Sequence, residues 1–205
     1  MLFKNNKGFT LVEMLISMTI FSAFVGILIT SYTGIVKSQR EANEYRVMYV
    51  EGRHVFETLV QELREGMVDY AFYAEGELLG ERSDIRLVSK DARTFTKINY
   101  YANNAVVSLS KARLDPNQEA GKGQPVFGES QKLNDKVRVS DFKIYVSPVI
   151  DPYNEDYVEY DANQFHPKVT IYAKFEREFS DGRNYTMDLQ TTVSSRVYNQ
   201  VYEVQ

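Results

Sequence analysis

Between Met14 and Val36 there are 23 consecutive residues without a charged side chain, and no other feature restricts the architecture of this chain as much. At about 1.5 Å per residue, such a run makes a helix of roughly 35 Å, enough to cross a hydrocarbon core about 30 Å thick. Core helices of soluble domains rarely stay uncharged for that length, so a membrane-spanning segment is expected. The whole chain is 43% apolar and 25% charged over 205 residues, a globular composition rather than a disordered or collagen-like one. Most of the hydrophobicity lies in the first 36 residues; the rest reads as an ordinary soluble domain.

A cleaved secretory signal would have a basic start, here Lys4 and Lys7, then an apolar stretch of about 7–15 residues and a small-residue cut site. The apolar run is too long for that, and no such site follows it. Glu13 also stands where a signal peptide would begin its apolar core. A plain signal anchor fits the length but accounts for neither Glu13 nor Gly8. A carboxylate at the edge of a bilayer is costly by a few kcal/mol on insertion scales and is by default a functional residue; the bland alternative is a side chain that snorkels to the headgroups.

The run Lys7-Gly8-Phe9-Thr10-Leu11-Val12-Glu13 resembles the prepilin-type cleavage and methylation motif of type IV pilins and type II secretion pseudopilins. The resemblance implies that a membrane prepilin peptidase cuts between Gly8 and Phe9 and methylates the new amine on Phe9. Lys4 and Lys7 become the basic residues of a leader, 1–8. Glu13 becomes the fifth residue of the mature chain and an assembly residue, paired with the terminal amine of a neighbouring subunit. On this view neither charge is satisfied within one subunit. Removing the leader with its two lysines leaves 197 residues and a formal charge of −6. That size favours a minor, secretion-type subunit, and the presence of Glu13 argues against the subunit at the extreme tip. Many pilins carry a proline inside the apolar helix, where this chain has Thr30, so a local break of the helix there is not implied.

Beyond the membrane the helix continues. Ala42, Tyr45, Tyr49, Gly52, Phe56, Leu59, Leu63 and Met67 recur at steps of three and four and predict one buried face. Glu41, Glu44, Arg46, Glu51, Arg53, Glu57, Glu62 and Arg64 fall on the others, and Gly66 is the expected stop. Leu11 to Glu65 would then be one helix of about 80 Å. The expected organisation is a leader (1–8), an assembly helix (9–36), an amphipathic second half (37–66) and a β-rich extracytoplasmic domain (67–205). This is an α+β, pilin-like fold: a long amino-terminal helix packed on an antiparallel sheet.

Strand periodicity supports it. A two-residue turn at Asn103-Asn104 pairs Ile98 with Leu109 and Tyr100 with Val107, placing both apolar sets on one face. Val137 and Val139, then Phe142, Ile144 and Val146, alternate with a phase slip at Ser140-Asp141 that predicts a bulge. A three-residue loop, Ser180-Asp181-Gly182, pairs Phe175 with Met187, Ala173 with Leu189, Val169 with Val193 and Lys174 with Asp188; Gly182 is then left-handed. The stretch Leu189 to Arg196 resembles the end of larger minor pseudopilins of the J type.

No catalytic constellation is expected. There is no P-loop, no G-x-G-x-x-G and no nucleophile elbow, and His54 and His166 read as solvated residues. The absence of cysteine removes a disulfide framework, a thiol nucleophile and a thiolate metal site. A net charge of −4 is no footprint for nucleic acid. In the acidic loop from Pro148 to Pro167, Asp151, Asn154, Asp156 and Glu159 are weak calcium candidates without EF-hand spacing; no metal or cofactor is expected. The 15 tyrosines could form a stacking platform for bases or sugars, although strand faces and subunit contacts use tyrosine more often. The reading is a structural subunit of a type IV pilus or pseudopilus in a bacterial cytoplasmic membrane. It is single-pass, with its domain outside, and then part of a filament. Its partners are the prepilin peptidase, other pilin subunits and an assembly platform. The alternative is a signal-anchored extracytoplasmic binding domain that never polymerises.

Overall fold

The computed structural model describes residues 8–74, 77–115, 125–152, 166–179 and 182–195. A single helix, α1, runs from Leu11 to Glu65 without a break. The chain divides into two units, Met1–Tyr45 and Arg46–Gln205. In the first, the apolar part of α1 is long and apolar enough to cross a membrane, and none of that stretch is buried. Three of its threonine hydroxyls bond to their own helix: Thr19 Oγ1 donates to the Leu15 carbonyl (2.8 Å), Thr30 Oγ1 to Gly26 (2.9 Å) and Thr33 Oγ1 to Thr30 (2.9 Å). Polar groups satisfied in this way are tolerated in hydrocarbon, and at Thr30 the helix stays intact.

The second unit packs the remainder of α1 on two antiparallel sheets. The first has the order β1 (Met67–Val68), β2 (Asp84–Val88), β3 (Thr94–Tyr101), β4 (Val106–Arg113) and β5 (Gln131–Lys132). The second is β6 (Arg138–Ser147), β7 (Lys168–Glu178) and β8 (Asn184–Ser194). The sheets are joined laterally: Arg82 and Ile144 exchange backbone hydrogen bonds (3.0 and 2.8 Å), and the Val139 amide donates to the Ala105 carbonyl (3.1 Å).

The buried residues of α1 are Met48, Gly52, Val55, Phe56, Leu59 and Leu63. Gly52, Phe56, Leu59 and Leu63 belong to the expected stripe. Ala42, Tyr45 and Tyr49 are exposed instead, the tyrosines at 44% and 53%, and Met48 and Val55, outside the expected stripe, are buried. The helical period sets direction about the axis, but the sheets set how far along and around the helix the cover extends. At Gly52 the second sheet comes close to the helix. A Cβ there would lie 2.7 Å from Met187 Cε and 3.4 Å from Leu189 Cδ1 and Phe175 Cδ2. Two acids flanking the stripe tie the helix down: Glu51 Oε1 accepts the amides of Asp135 and Lys136 (2.7 and 3.1 Å), and Glu62 Oε1 lies 2.7 Å from Lys111 Nζ. Gly66 does end the helix, its amide donating to the Glu62 carbonyl (2.9 Å); a Cβ there would approach Leu87 Cβ to 3.0 Å.

The strand registers agree with the sequence reading. Ile98 pairs with Leu109 and Tyr100 with Val107. Phe175 pairs with Met187, Ala173 with Leu189, Val169 with Val193 and Lys174 with Asp188. The register slips between Val139 and Asp141, leaving Ser140 as the bulge. Phe179 N donates to Arg183 O (2.9 Å) and Gly182 has φ +78°, as a three-residue loop requires; Ser180 and Asp181 lie outside the described residues. The Asn103-Asn104 turn differs. A two-residue type I′ turn needs positive φ at both central residues, whereas here the left-handed residue is Ala105 (φ +53°) and Tyr101–Val106 is the last pair. Ala102 to Ala105 form a wider turn that keeps the same register. Ala105 is held by the second sheet and by Asn134, which is 2% exposed. Asn134 Oδ1 accepts from Val107 N (2.8 Å), and its Nδ2 donates to the carbonyls of Ala105 (3.0 Å) and Val137 (2.8 Å).

The first sheet is covered on both faces. Opposite the main core, Phe95, Ala112 and Leu114 pack with Val88 and Phe127. The Arg86 guanidinium lies 4.4 Å from the Phe72 ring centre and 4.6 Å from that of Phe95, with Nε 2.8 Å from Asp69 Oδ2.

Candidate functional site at the amino terminus

The candidate site is the start of α1. Among the described residues nothing lies within 4 Å of a Cβ placed at Gly8, and Phe9 is 77% exposed. Lys4 and Lys7 lie outside the described residues. Thr10 begins the helix as its cap, since the Met14 amide donates to its carbonyl (3.2 Å). The Glu13 amide donates to Thr10 Oγ1 (3.3 Å), while Glu13 Oε2 accepts from both Thr10 N (3.1 Å) and Thr10 Oγ1 (3.1 Å). This is a capping box, two orphan donors of the helix start satisfied reciprocally, with an anion on the positive end of the helix dipole.

These donors are neutral: Thr10 gives the Glu13 carboxylate a hydrogen-bonding partner in its own subunit but no counter-charge. Oε2 is engaged by its own chain, whereas Oε1 accepts no hydrogen bond among the described residues. Sequence reasoning had overlooked Thr10 as the second member of the pair. The signal was present, because a threonine followed three residues later by an acid, just before an apolar run, is the capping-box pattern.

Of the calcium candidates, Asp151 is partly exposed, and Asn154, Asp156 and Glu159 lie outside the described residues. Among the described residues no three His, Asp or Glu side chains converge as metal ligands would. His54 is exposed on α1 and His166 is half-buried.

The family model of the prokaryotic N-terminal methylation motif matches residues 3–29. That range takes in the Gly8–Phe9 step, the Thr10–Glu13 box and much of the apolar helix, and it agrees with the resemblance to type IV pilins and pseudopilins carried by residues 7–13. No curated protein and no solved structure matches the chain. The motif and the apolar helix support a pilin-like subunit, processed at its amino end and anchored in a membrane.

Proposed function

We propose that this chain is a prepilin: cut after Gly8, methylated on Phe9 and polymerised through its apolar helix as a minor structural subunit of a type IV pilus or type II secretion pseudopilus. It is not an enzyme. The observation that carries this reading is the helix start, where the motif coincides with an exposed Phe9 and with a carboxylate of which, among the described residues, one oxygen caps the helix and the other accepts no hydrogen bond. After cleavage the amine of Phe9 is a new charge at the membrane surface. Oε1 of Glu13 on a neighbouring subunit is a suitable acceptor for it, while Oε2 continues to cap its own helix. The domain, 67–205, then lies outside the cytoplasmic membrane before entering the filament. The partners are the prepilin peptidase, other pilin subunits and the assembly platform.

The test is the amino terminus of the protein made in a host with a prepilin peptidase. A chain that starts at Phe9 and is one methyl group heavier than its sequence supports the proposal. An intact Met1 would instead mean a signal-anchored binding domain. A start beyond Val36 would mean a secreted product released by signal peptidase.

A further inference from the structure

The outward-facing residues of the second sheet form a feature that polymerisation through α1 does not use. Asp141, Lys143 and Tyr145 on β6, Thr170 and Tyr172 on β7, and Gln190 on β8 line an open depression of about 390 Å³. The register sets Tyr145 beside Thr170, Lys143 beside Tyr172, and Tyr172 beside Gln190. The two tyrosines are therefore diagonal neighbours on adjacent strands, near enough for one ligand to touch both. Each ring is held at the rim by a carboxylate. Tyr145 OH donates to Glu81 Oε1 (2.9 Å) and Tyr172 OH to Asp188 Oδ1 (3.2 Å). Fixing the rings in advance reduces the ordering cost of a ligand that packs on them.

Charge selects among ligands. Lys143 Nζ lies 3.1 Å from Glu81 Oε2 and 3.7 Å from Asp141 Oδ2, and Lys174 stands opposite Asp188. The lysine is thus committed to neighbouring carboxylates and offers little to a phosphate or a uronate, and Glu81, Asp141 and Asp188, each engaged by this lysine or a tyrosine hydroxyl, offer little to a cationic guest. What is left is two aromatic rings with Thr170 and the paired Lys143 between them, and the amide of Gln190 and the carboxylate of Asp141 flanking Tyr172. That set matches a pyranose, whose C–H face packs on an aromatic ring and whose neighbouring hydroxyls bond to carboxylate and amide groups.

We propose that this depression binds a neutral glycan, holding about two sugar units of a linear hexopyranose chain. The proposal is independent of whether the chain polymerises. It is tested on the full-length protein in lipid nanodiscs, since glycoside detergents would compete. The probes are cello-, malto-, manno-, xylo- and chito-tetraose, with tetragalacturonate as the charged comparison, titrated by calorimetry and by saturation-transfer NMR. At least one neutral tetrasaccharide should bind with a Kd of about 1 mM or tighter, and tetragalacturonate more weakly. Tyr145→Ala and Tyr172→Ala should each weaken binding about tenfold. Tyr172→Phe, which keeps the ring, should stay within about threefold of the parent. Tyr101→Ala, on the other sheet, should change nothing. If either alanine variant melts earlier than the parent, Gln190→Ala replaces it and should also weaken binding. No binding by any neutral probe, equal binding by the tyrosine variants and the parent, or preference for the charged sugar would overturn the proposal.

Discussion

Replacing Glu13 by Gln and, separately, Thr10 by Ala distinguishes helix capping from charge pairing at the amino terminus. In Glu13→Gln the amide oxygen can still accept from Thr10 N, the bond now made by Oε2 at 3.1 Å, so the cap is kept and only the charge is lost. Membrane insertion should be no harder, and cleavage after Gly8 should continue. In a filament, the neighbouring amine would then be left without its counter-charge, at a cost of about 3–5 kcal/mol where both are desolvated. That corresponds to a loss of assembly of more than about a hundredfold. Thr10→Ala does the opposite. It removes the hydroxyl that accepts from the Glu13 amide and donates to Oε2, costs about 1 kcal/mol of helix-start stability, and leaves the carboxylate charged. Assembly should fall no more than about fivefold. Glu13→Ala loses both functions and should behave at least as badly as Glu13→Gln. The measurement is the ratio of sheared, filament-associated protein to membrane protein, with processing checked on the same samples. Normal incorporation of Glu13→Gln would refute the pairing and leave Glu13 as a capping residue only.

Gly8→Val places a branched side chain at the cleaved bond and should leave full-length precursor in the membrane; a product starting at Phe9 would move the assigned cut. Asn134→Ala leaves the Val107 amide and the Val137 carbonyl without their buried partner and should cost about 3 kcal/mol in urea unfolding of a fragment from about residue 37. Asn134→Asp should be worse, because a carboxylate would then face two carbonyl oxygens, and a loss below about 1 kcal/mol for either would contradict that account. Loss of solvent around Asp69 holds its carboxyl above the usual range despite the pull of Arg86. The folded chain therefore binds that proton more tightly than the unfolded chain. Its contribution is fully present below the ordinary carboxylate pKa and is lost as pH rises through the folded value. Asp69→Asn should flatten this part of the stability–pH profile, and an unchanged slope would be the contrary result. If the acidic loop is simply solvated, the same fragment should melt at one temperature with calcium or with a chelator; a clear calcium-dependent rise would assign it a metal.

The membrane helix and the Gly8–Glu13 motif were legible from residues 4–36 because both are local: one depends on the length of an uncharged run, the other on residue types at fixed spacing. The hairpins were legible for a related reason. Period-two alternation combined with loop length permits one register that keeps Val169, Ile171, Ala173 and Phe175 facing the same way as Leu189 and Val193, and those pairings are the ones formed.

Burial followed different rules. Tyr49 and Gly52 lie on neighbouring parts of one helical stripe, yet Tyr49 is exposed and Gly52 is pressed against Met187, because a partner more than a hundred residues away in sequence decides which of them is covered. Phe95 and Thr96 are consecutive in a strand and point to opposite faces, and both are buried because α1 covers one face and Leu114 with Phe127 the other. The turn at Ala102 to Ala105 takes its shape from Asn134 and Val139 rather than from its own asparagines. The depression between Tyr145 and Tyr172 likewise exists only once three strands are side by side. Periodicity records which way a side chain points from its own backbone; whether anything lies there to meet it is settled by the packing of distant segments.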